Sequence, residues 1–277
     1  MEPWVENLPF ERLCPARRAM KSILINPLAN YLPASITRSI LRFTKSELAA
    51  SNWKDPGGWR SMVISYENNP RKLSDRVLVN SGTMPMALRN RRLLASNILT
   101  RMIDQCPTEP VRVLCLGAGP GHIIIDAMTA AKKKVQATLV DLSSDAFDYG
   151  RQLAQRSGLA ECVRFVQGDV RNVQSLLGEQ RVDLVKMLGI CEYLTDQQIV
   201  DIIKAVSALM PPGSTLVANS LSRRHGTDRF FRQVFGLHMT YRNRAELEAL
   251  FSRGGLGNFT STAEPLGVYH ILVGHKT

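Results

Sequence analysis

An apolar run that ends in a turn of three glycines constrains this chain more than any other feature. The run covers residues 111–116, and the turn follows as Gly117-Ala118-Gly119-Pro120-Gly121. A helical apolar stretch begins directly after the turn. Together these features predict a buried parallel strand, a glycine turn and a helix start. Such a turn brings bare backbone and the positive end of a helix against a ligand.

An acidic residue lies where nucleoside-binding folds place one. The next apolar run, residues 135–140, leads into Asp141, twenty residues beyond Gly121. A carboxylate at the end of a second strand can bind the hydroxyl groups of a ribose. The ligand predicted for this turn is therefore a cofactor that contains a nucleoside.

The glycine spacing separates two classes of cofactor. Dinucleotide-binding turns carry their third glycine three positions after the second, where helix and strand pack closely over a pyrophosphate. His122 holds that position in this chain, and the third glycine comes one residue earlier, at Gly121. The spacing argues against a dehydrogenase. A dehydrogenase or a degenerate fold without a ligand is the alternative interpretation.

The glycine turn and the strand pattern resemble the class I S-adenosylmethionine-dependent methyltransferases. The resemblance covers the chain from Arg112 to the C-terminus and implies an α/β fold, a doubly wound and mostly parallel sheet. It also implies an antiparallel hairpin at the C-terminus of the sheet. In this chain a helical N-terminal extension precedes the α/β domain. The later strands are predicted at residues 163–169, 182–190, 214–219, 259–263 and 268–273.

The same resemblance implies S-adenosylmethionine as the cofactor, with contacts at the strand ends. The glycine turn would face its methionine end, Asp141 its ribose and Asp169 its adenine. The end of the fourth strand would lie beside the sulfonium. The candidate residues are Gly117, Ala118, Gly119, Pro120, Gly121, Asp141, Leu142, Asp169, Val170, Leu188 and Gly189.

Three residues are candidates for catalysis. Methyl transfer from a sulfonium needs a base only when the acceptor keeps its proton. His225 is the candidate base because it is the only histidine in the polar loop after the fifth strand. Glu192 lies where the family often places acceptor contacts, and Tyr241, like Tyr66, would close over the cofactor. A surface histidine, a helix cap and a packed ring are the competing interpretations.

The chain is predicted to divide into a helical N-terminal region, residues 1–105, and a cofactor-binding domain, residues 106–277. Helical spacing is present in residues 16–25, 35–45 and 85–104. In class I methyltransferases a segment of this kind commonly lies across the cofactor cleft as a lid and contacts substrate.

Faces are assigned to two of these helices. In the second, an apolar face of Ile36, Ile40 and Phe43 lies opposite Arg38, Arg42 and Lys45. In the third, Thr83 is a candidate cap. Its inward residues are predicted as Ala87, Leu94, Ile98 and Met102, and its outward residues as Arg89, Arg92 and Arg101.

An insertion at about residues 221–245 leaves the carboxyl edge of the sheet, where ligands of such folds bind. It contains His225 and Tyr241. Its arginines are candidates for an anion-binding rim or, alternatively, a solvated face; they are Arg223, Arg224, Arg229 and Arg232.

The charge of the chain is uneven. The net charge is +11, and residues 1–105 hold 16 Lys/Arg against 8 Asp/Glu, which gives +8. Such an excess attracts anions, which include nucleic acid, anionic substrates, acyl carriers and anionic membrane surfaces. A solvated surface is the simpler alternative.

Other features bound the setting of the protein. The five cysteines are scattered and form no Cys-x-x-Cys, which predicts reduced thiols, no metal site and a cytoplasmic protein. No apolar run reaches the ~18 residues of a membrane span. The acidic start, Met1 to Glu6, lacks the layout of a signal peptide.

Three functions are compatible with these observations. The first is methyl transfer to oxygen, nitrogen or carbon of a small molecule that is anionic or partly apolar. The second is RNA methylation through the basic N-terminal half. No Asp/Asn-Pro-Pro-Tyr/Phe element follows the fourth strand, and Cys191 lacks the neighbour of a cytosine C5 nucleophile. A non-catalytic partner protein is the third, and the intact turn with both acids argues against it.

Overall fold

The computed structural model describes residues 3–277, so Met1 and Glu2 of the acidic start lie outside the described residues. Seven strands form one sheet in the order β3-β2-β1-β4-β5-β7-β6. The strands are β1 Val111–Leu116, β2 Val135–Asp141, β3 Val163–Gln167, β4 Leu184–Met187, β5 Thr215–Leu221, β6 Leu256–Ala263 and β7 Tyr269–Lys276.

The pairing of the strands confirms the predicted fold class. Strands β1 to β5 pair in parallel, and β7 lies antiparallel between β5 and β6. Strand β4 is shorter than predicted, because the chain leaves the sheet after Met187. The strand order reverses between β1 and β4, which is where open α/β sheets form their ligand crevice.

Fourteen α-helices are formed among residues 3–277. They are α1 Pro3–Glu6, α2 Pro15–Met20, α3 Asn26–Tyr31, α4 Ala34–Phe43, α5 Glu47–Lys54, α6 Trp59–Glu67, α7 Leu73–Asp75, α8 Thr83–Gln105, α9 His122–Ala130, α10 Ser144–Arg156, α11 Val173–Leu177, α12 Asp196–Leu209, α13 Asp228–Phe230 and α14 Arg244–Arg253. Short π-helical turns follow α2, α7 and α13 at Lys21–Ile25, Arg76–Asn80 and Phe231–Phe235.

Apolar residues fill both faces of the sheet. One face packs against α8 and α9, where Leu94, Leu99 and Ile124 are fully buried. The other face packs against α12 and α14. The long helix α8 therefore shares the core of the sheet, although it lies in the N-terminal region of the predicted division.

Capping explains where two helices of the sheet begin. The side chains of Thr195 and Asn243 each accept a hydrogen bond from the backbone N–H three residues ahead. Their own backbone N–H groups donate to the side-chain oxygens of Gln198 and Glu246. Thr83 was expected to cap α8, but the helix begins at Thr83 itself and Gly82 holds the cap position.

One predicted helix face needs correction. Arg89 and Arg92, expected outward, are partly buried and pair with Glu11 and Asp126, because other segments cover that side of α8. The predicted apolar residues of α4 are exposed together, and Phe43 is 89% exposed. Among residues 3–277 no helix is both long and apolar enough to cross a bilayer.

Candidate active site

A cavity of about 580 Å³ lies at the carboxyl ends of β1, β2 and β4. Ten of the eleven predicted cofactor residues line it, from Gly117 in the turn to Gly189 beyond β4. They come together because each follows a parallel strand, and the carboxyl ends of parallel strands meet at one edge of a sheet.

The exception is Gly121, which has a packing role. Its backbone has φ +88°, and a Cβ there would lie 2.5 Å from Cδ2 of Leu139. Gly117, with φ +57°, is as constrained, since its Cβ would lie 2.0 Å from Cγ2 of Ile190. Both positions require glycine.

Asp141 is oriented by the turn itself. Its Oδ2 accepts a hydrogen bond of 2.7 Å from the Gly119 amide, and its Oδ1 accepts one of 3.0 Å from the Ser143 amide. Each carboxylate oxygen retains a lone pair for a further donor. Asp169 bonds both the backbone and the guanidinium of Arg171, and these bonds lower the pKa of Asp169.

Part of the N-terminal region forms the opposite wall of the cavity. Residues 55–59 and the first turns of α6 line it. Trp59 packs over the glycine turn, where a Cβ on Gly119 would lie 3.6 Å from the Trp59 Cβ. Gly57 lies against Tyr193, because a Cβ on Gly57 would lie 2.5 Å from the Tyr193 hydroxyl oxygen. These contacts place helical N-terminal residues across the cleft.

A buried arginine lines this cavity. Arg91 of α8 is 1% exposed, and a Cβ on Gly189 would lie 3.1 Å from its Nη1. Its Nη2 donates to the Tyr66 hydroxyl at 3.1 Å, and its guanidinium lies 4.6 Å above the Tyr269 ring. Burial lowers the pKa of Arg91, but Tyr66, Tyr269 and Glu192 outweigh it and raise the pKa above its ordinary value. The guanidinium is therefore charged.

Arg91 has an acid close to it. Glu192 lies with 4.0 Å between its Oε1 and Nη1 of Arg91, beyond hydrogen-bond distance. Burial raises the pKa of Glu192, against the opposing effect of Arg91. Within residues 3–277, Nε of Arg91, Oε2 of Glu192 and Nδ2 of Asn219 are buried without a hydrogen-bond partner. Buried unpaired polar groups are costly, and of these three residues only Arg91 lines the cavity.

A second buried cation lies under the glycine turn. Lys186 of β4 is 4% exposed, pairs in register with Cys115 of β1 and lines the cavity. Burial, followed by Arg91, lowers the pKa of Lys186. No hydrogen bond or ion pair of its ammonium is formed within the described part of the chain, residues 3–277.

His122 also lines the cavity. It begins α9 and packs between the rings of Tyr66 and Tyr149, each 5.6 Å from it. Burial, assisted by Arg92, lowers the pKa of His122 to about 4. The imidazole is therefore neutral at neutral pH.

The three catalytic candidates lie outside the cavity wall. His225 is fully buried, its Nε2 lies 2.9 Å from the Tyr241 hydroxyl and its Nδ1 lies 3.1 Å from Oγ1 of Thr227. Tyr241 in turn donates to Asp228 at 2.8 Å. Glu192 contacts the cavity only through Arg91. Because His225 and Tyr241 are held by protein groups, we assign them structural roles in the insertion.

The pKa of His225 predicts a pH dependence of stability. Burial lowers this pKa to about 4 from 6.5, so the unfolded chain takes up the proton first as the pH falls. The neutral His225 therefore adds to the free energy of unfolding in full above pH 6.5. This stabilisation is lost as the pH falls to 4, by roughly 3 kcal/mol at most. We expect His225→Asn to flatten the pH dependence of Tm in this range. His238→Asn, at an exposed histidine, is the control, and equal slopes in both variants would contradict the assignment.

The predicted arginine rim is engaged elsewhere. Arg223 and Arg229 lie 4.9 and 5.0 Å from the ring centroids of Tyr241 and Tyr31, and Arg232 pairs with Asp228 at 2.8 Å. Arg224 packs beside Gly267. None of the four lines the cavity, because the insertion packs against the N-terminal helices.

Among residues 3–277 no group of three or more His, Cys, Asp or Glu side chains is arranged to hold a metal.

Signals for the two missed cations are present in the sequence. Arg91 lies in helical register with Ala87, Leu94 and Ile98, so it is a single charge on the predicted apolar face. Lys186 interrupts the apolar run of the fourth strand. Charges at buried positions are costly unless they serve a ligand or a partner.

Comparison with known proteins agrees with this geometry. A family model described as a methyltransferase domain matches residues 113–213. The tRNA 5-carboxymethoxyuridine methyltransferase of Escherichia coli (strain K12) is 27% identical over 118 residues, which are 43% of this chain and 43% of that protein. The match thus spans less than half of that curated relative.

Two solved structures have the same fold. A possible exported protein from Bordetella parapertussis has a TM-score of 0.64 at 15% identity, over 100% of this chain and 99% of that chain. Magnesium protoporphyrin IX methyltransferase from Synechocystis PCC 6803, with bound SAH, has a TM-score of 0.59 at 13% identity, over 87% and 99%. Residues 113–213 thus match a methyltransferase domain, and the sheet around them has the fold of a methyltransferase with bound SAH.

Proposed function

We propose that this protein transfers a methyl group from S-adenosylmethionine to an oxygen, nitrogen or carbon atom of an anionic small molecule. The observation that carries the proposal is the cavity, which joins the cofactor edge of the sheet to the buried Arg91. The cofactor supplies an activated methyl group. The residues of the chain need to hold donor and acceptor in line and to exclude water.

The residues present fit this cofactor. Asp141 would accept from the ribose hydroxyls with its remaining lone pairs, and the glycine turn would face the methionine end. Asp169 and Val170 would contact the adenine, and Leu188 and Gly189 would lie beside the sulfonium. Leu142 is 67% exposed at the cavity edge and is suited to cover the adenosine.

Lys186 is suited to bind the carboxylate of the methionine end. It lies one strand away from the residues that lead into the glycine turn. Its ammonium makes no hydrogen bond to the described residues 3–277, and a bound carboxylate would compensate its charge.

Binding of two ligands tests this role. We expect Lys186→Met to weaken S-adenosylhomocysteine roughly tenfold or more, because a charge-assisted hydrogen bond is lost. The affinity for methylthioadenosine, which lacks the amino-acid group, should not change. Isothermal titration calorimetry gives both affinities, and equal losses for both ligands would contradict the assignment.

Arg91 favours an acceptor that carries an anion. A guanidinium binds a carboxylate through two parallel hydrogen bonds, and the Nη1 side of Arg91 faces Gly189, beyond β4. Lys186 is also buried nearby, and the bound cofactor would add a sulfonium cation to the same cavity. This concentration of positive charge favours a negatively charged acceptor. None of the three catalytic candidates lines the wall. His122 does, but its lowered pKa of about 4 makes it a weak base.

RNA methylation is the second candidate. The curated relative that acts on tRNA favours it, as does the net charge of +8 in residues 1–105. The name of that relative includes 5-carboxymethoxyuridine, a nucleoside with a carboxylate. Arg91 would also be suited to bind such a carboxylate. The small-molecule proposal is preferred because residues 55–59 and α6 wall the cavity opposite the glycine turn.

A labelled-methyl transfer screen distinguishes the two. Cell extract is separated into RNA and small-molecule fractions, and each is incubated with protein and labelled S-adenosylmethionine. We expect label in small molecules that anion-exchange resin retains. Label confined to RNA would support the second candidate. Binding to RNA that weakens steeply between low and moderate salt would point the same way.

We also propose a reducing, cytoplasmic setting. All five cysteines are free thiols, and Cys115 and Cys191 are buried. Burial raises the pKa of Cys115 to about 11, so this thiol is unreactive.

A further inference from the structure

Most large apolar side chains of the segment that contains helices α2 to α4 are exposed to solvent. Nine of the thirteen exposed large apolar side chains among residues 3–277 lie between Met20 and Phe43. We call these nine side chains the N-terminal apolar surface. Ile23 is 78% exposed, Tyr31 72% and Phe43 89%. Contiguous exposed apolar surface on this scale marks an interaction site.

Several inward contacts of the same helices are polar. Lys21 bonds the Ser81 carbonyl and, at 3.1 Å, the Thr83 hydroxyl. Asn30 donates to the Gly226 carbonyl at 2.8 Å and accepts from the Phe230 amide at 3.0 Å, and Arg38 donates to the Val234 carbonyl at 3.1 Å. Together with the buried Leu41, these contacts attach the helices to the insertion and leave the N-terminal apolar surface exposed.

The spacing of the exposed residues gives each helix one apolar stripe. Residues 15–31 run helically through α2, the π turn and α3, and Met20, Leu24, Leu28 and Tyr31 recur at helical spacing. In α4, Ile36, Ile40 and Phe43 do the same. An amphipathic helix of this kind lies in the plane of an interface.

The charge of this segment selects the partner. Residues 12–46 contain seven Lys/Arg and no Asp/Glu, and none of the seven forms a salt bridge within residues 3–277. Arg17, Arg18, Arg42 and Lys45 are exposed. Two copies of such a surface would repel each other, whereas anionic lipid headgroups attract it. Long basic side chains can hold headgroups while apolar neighbours enter the acyl boundary.

We propose that helices α2 to α4 dock on an anionic phospholipid bilayer, with the N-terminal apolar surface inserted at its interface. The docking is peripheral and does not depend on the proposed methyl transfer. It also accounts for much of the positive charge of residues 1–105 without an RNA partner.

Vesicle co-sedimentation tests the proposal. The protein should sediment with vesicles of phosphatidylcholine and phosphatidylglycerol and stay in solution with phosphatidylcholine alone. Arg17→Gln/Arg18→Gln should weaken the binding roughly 30-fold, from about 1 kcal/mol per basic residue. Arg156→Gln/Arg253→Gln, with the same loss of charge on the methyltransferase domain, is the control. Ile40→Ser/Phe43→Ser should weaken binding at least roughly tenfold.

Three outcomes would overturn the proposal. One is absence of binding to the anionic vesicles at low salt. Another is self-association that Ile40→Ser/Phe43→Ser abolishes, since this would make a second copy the partner. The third is RNA that binds wild type and Ile40→Ser/Phe43→Ser equally and displaces the vesicles, because a purely electrostatic site needs no apolar surface. Circular dichroism of each variant verifies that the fold is retained.

Discussion

Asp141→Ala is expected to abolish cofactor binding while the fold stays intact. The carboxylate has lone pairs for both ribose hydroxyls, and hydrogen bonds to a charged group contribute about 1.5–3 kcal/mol each. Two such bonds correspond to a loss of affinity of roughly 100-fold or more. Asp141→Asn keeps one carbonyl oxygen and should show an intermediate loss.

Calorimetry with S-adenosylhomocysteine and methylthioadenosine measures this effect. Both ligands contain the ribose, so Asp141→Ala should weaken both, unlike Lys186→Met. Asp148→Ala, at an exposed acid on α10, is the matched control. Unchanged affinity of Asp141→Ala with an unchanged melting temperature would remove the ribose assignment. The melting temperature is needed because Asp141 also orients the Gly119 amide.

Arg91→Met is expected to weaken binding of the anionic acceptor strongly. The acceptor's KM should rise roughly 100-fold, corresponding to about 3 kcal/mol for lost charge-assisted hydrogen bonds, while cofactor affinity is retained. Removing one partner of a buried ion pair is destabilising, by about 3–5 kcal/mol. Glu192 and the Tyr66 hydroxyl lose their partner in this variant, so Tm should fall.

The KM of the acceptor distinguishes a binding arginine from a structural one. A structural Arg91 would lower Tm when it is replaced and would leave the KM of the acceptor unchanged. Arg101→Met removes the same charge from an exposed position on α8, where the guanidinium lies 4.3 Å from the Trp4 ring centroid, and should leave the KM unchanged. Steady-state kinetics with the acceptor found in the transfer screen, together with thermal melting, gives both measurements.

Local pattern accounts for what could be predicted of the cofactor side of the site. The glycine turn, Asp141 and Asp169 each follow an apolar run, and a run of that length specifies a buried strand. Parallel topology then brings the strand ends to one edge without any knowledge of side-chain packing. Ten of eleven predicted residues line the cavity for this reason.

The acceptor side could not be predicted in the same way. His225 was expected at the cavity because its loop leaves the correct edge of the sheet, but the insertion folds back onto helices α3 and α4. Its imidazole is thereby buried against Tyr241. The apolar face of α4 was identified, whereas its exposure depends on which side of the helix meets the insertion.

The amino-acid sequence by itself determined where the strands, the glycine turn and the acids at the strand ends lie along the chain, because these follow from periodicity within short segments. Only the tertiary structure decided that Arg91 faces the cavity. It also brought Arg91 close to Glu192, which is 101 residues away along the chain. It also decided that residues 55–59 and α6 cover the glycine turn. Such contacts arise from packing between distant segments, and the free energy of burying a charge or a ring depends on neighbours that no local pattern specifies.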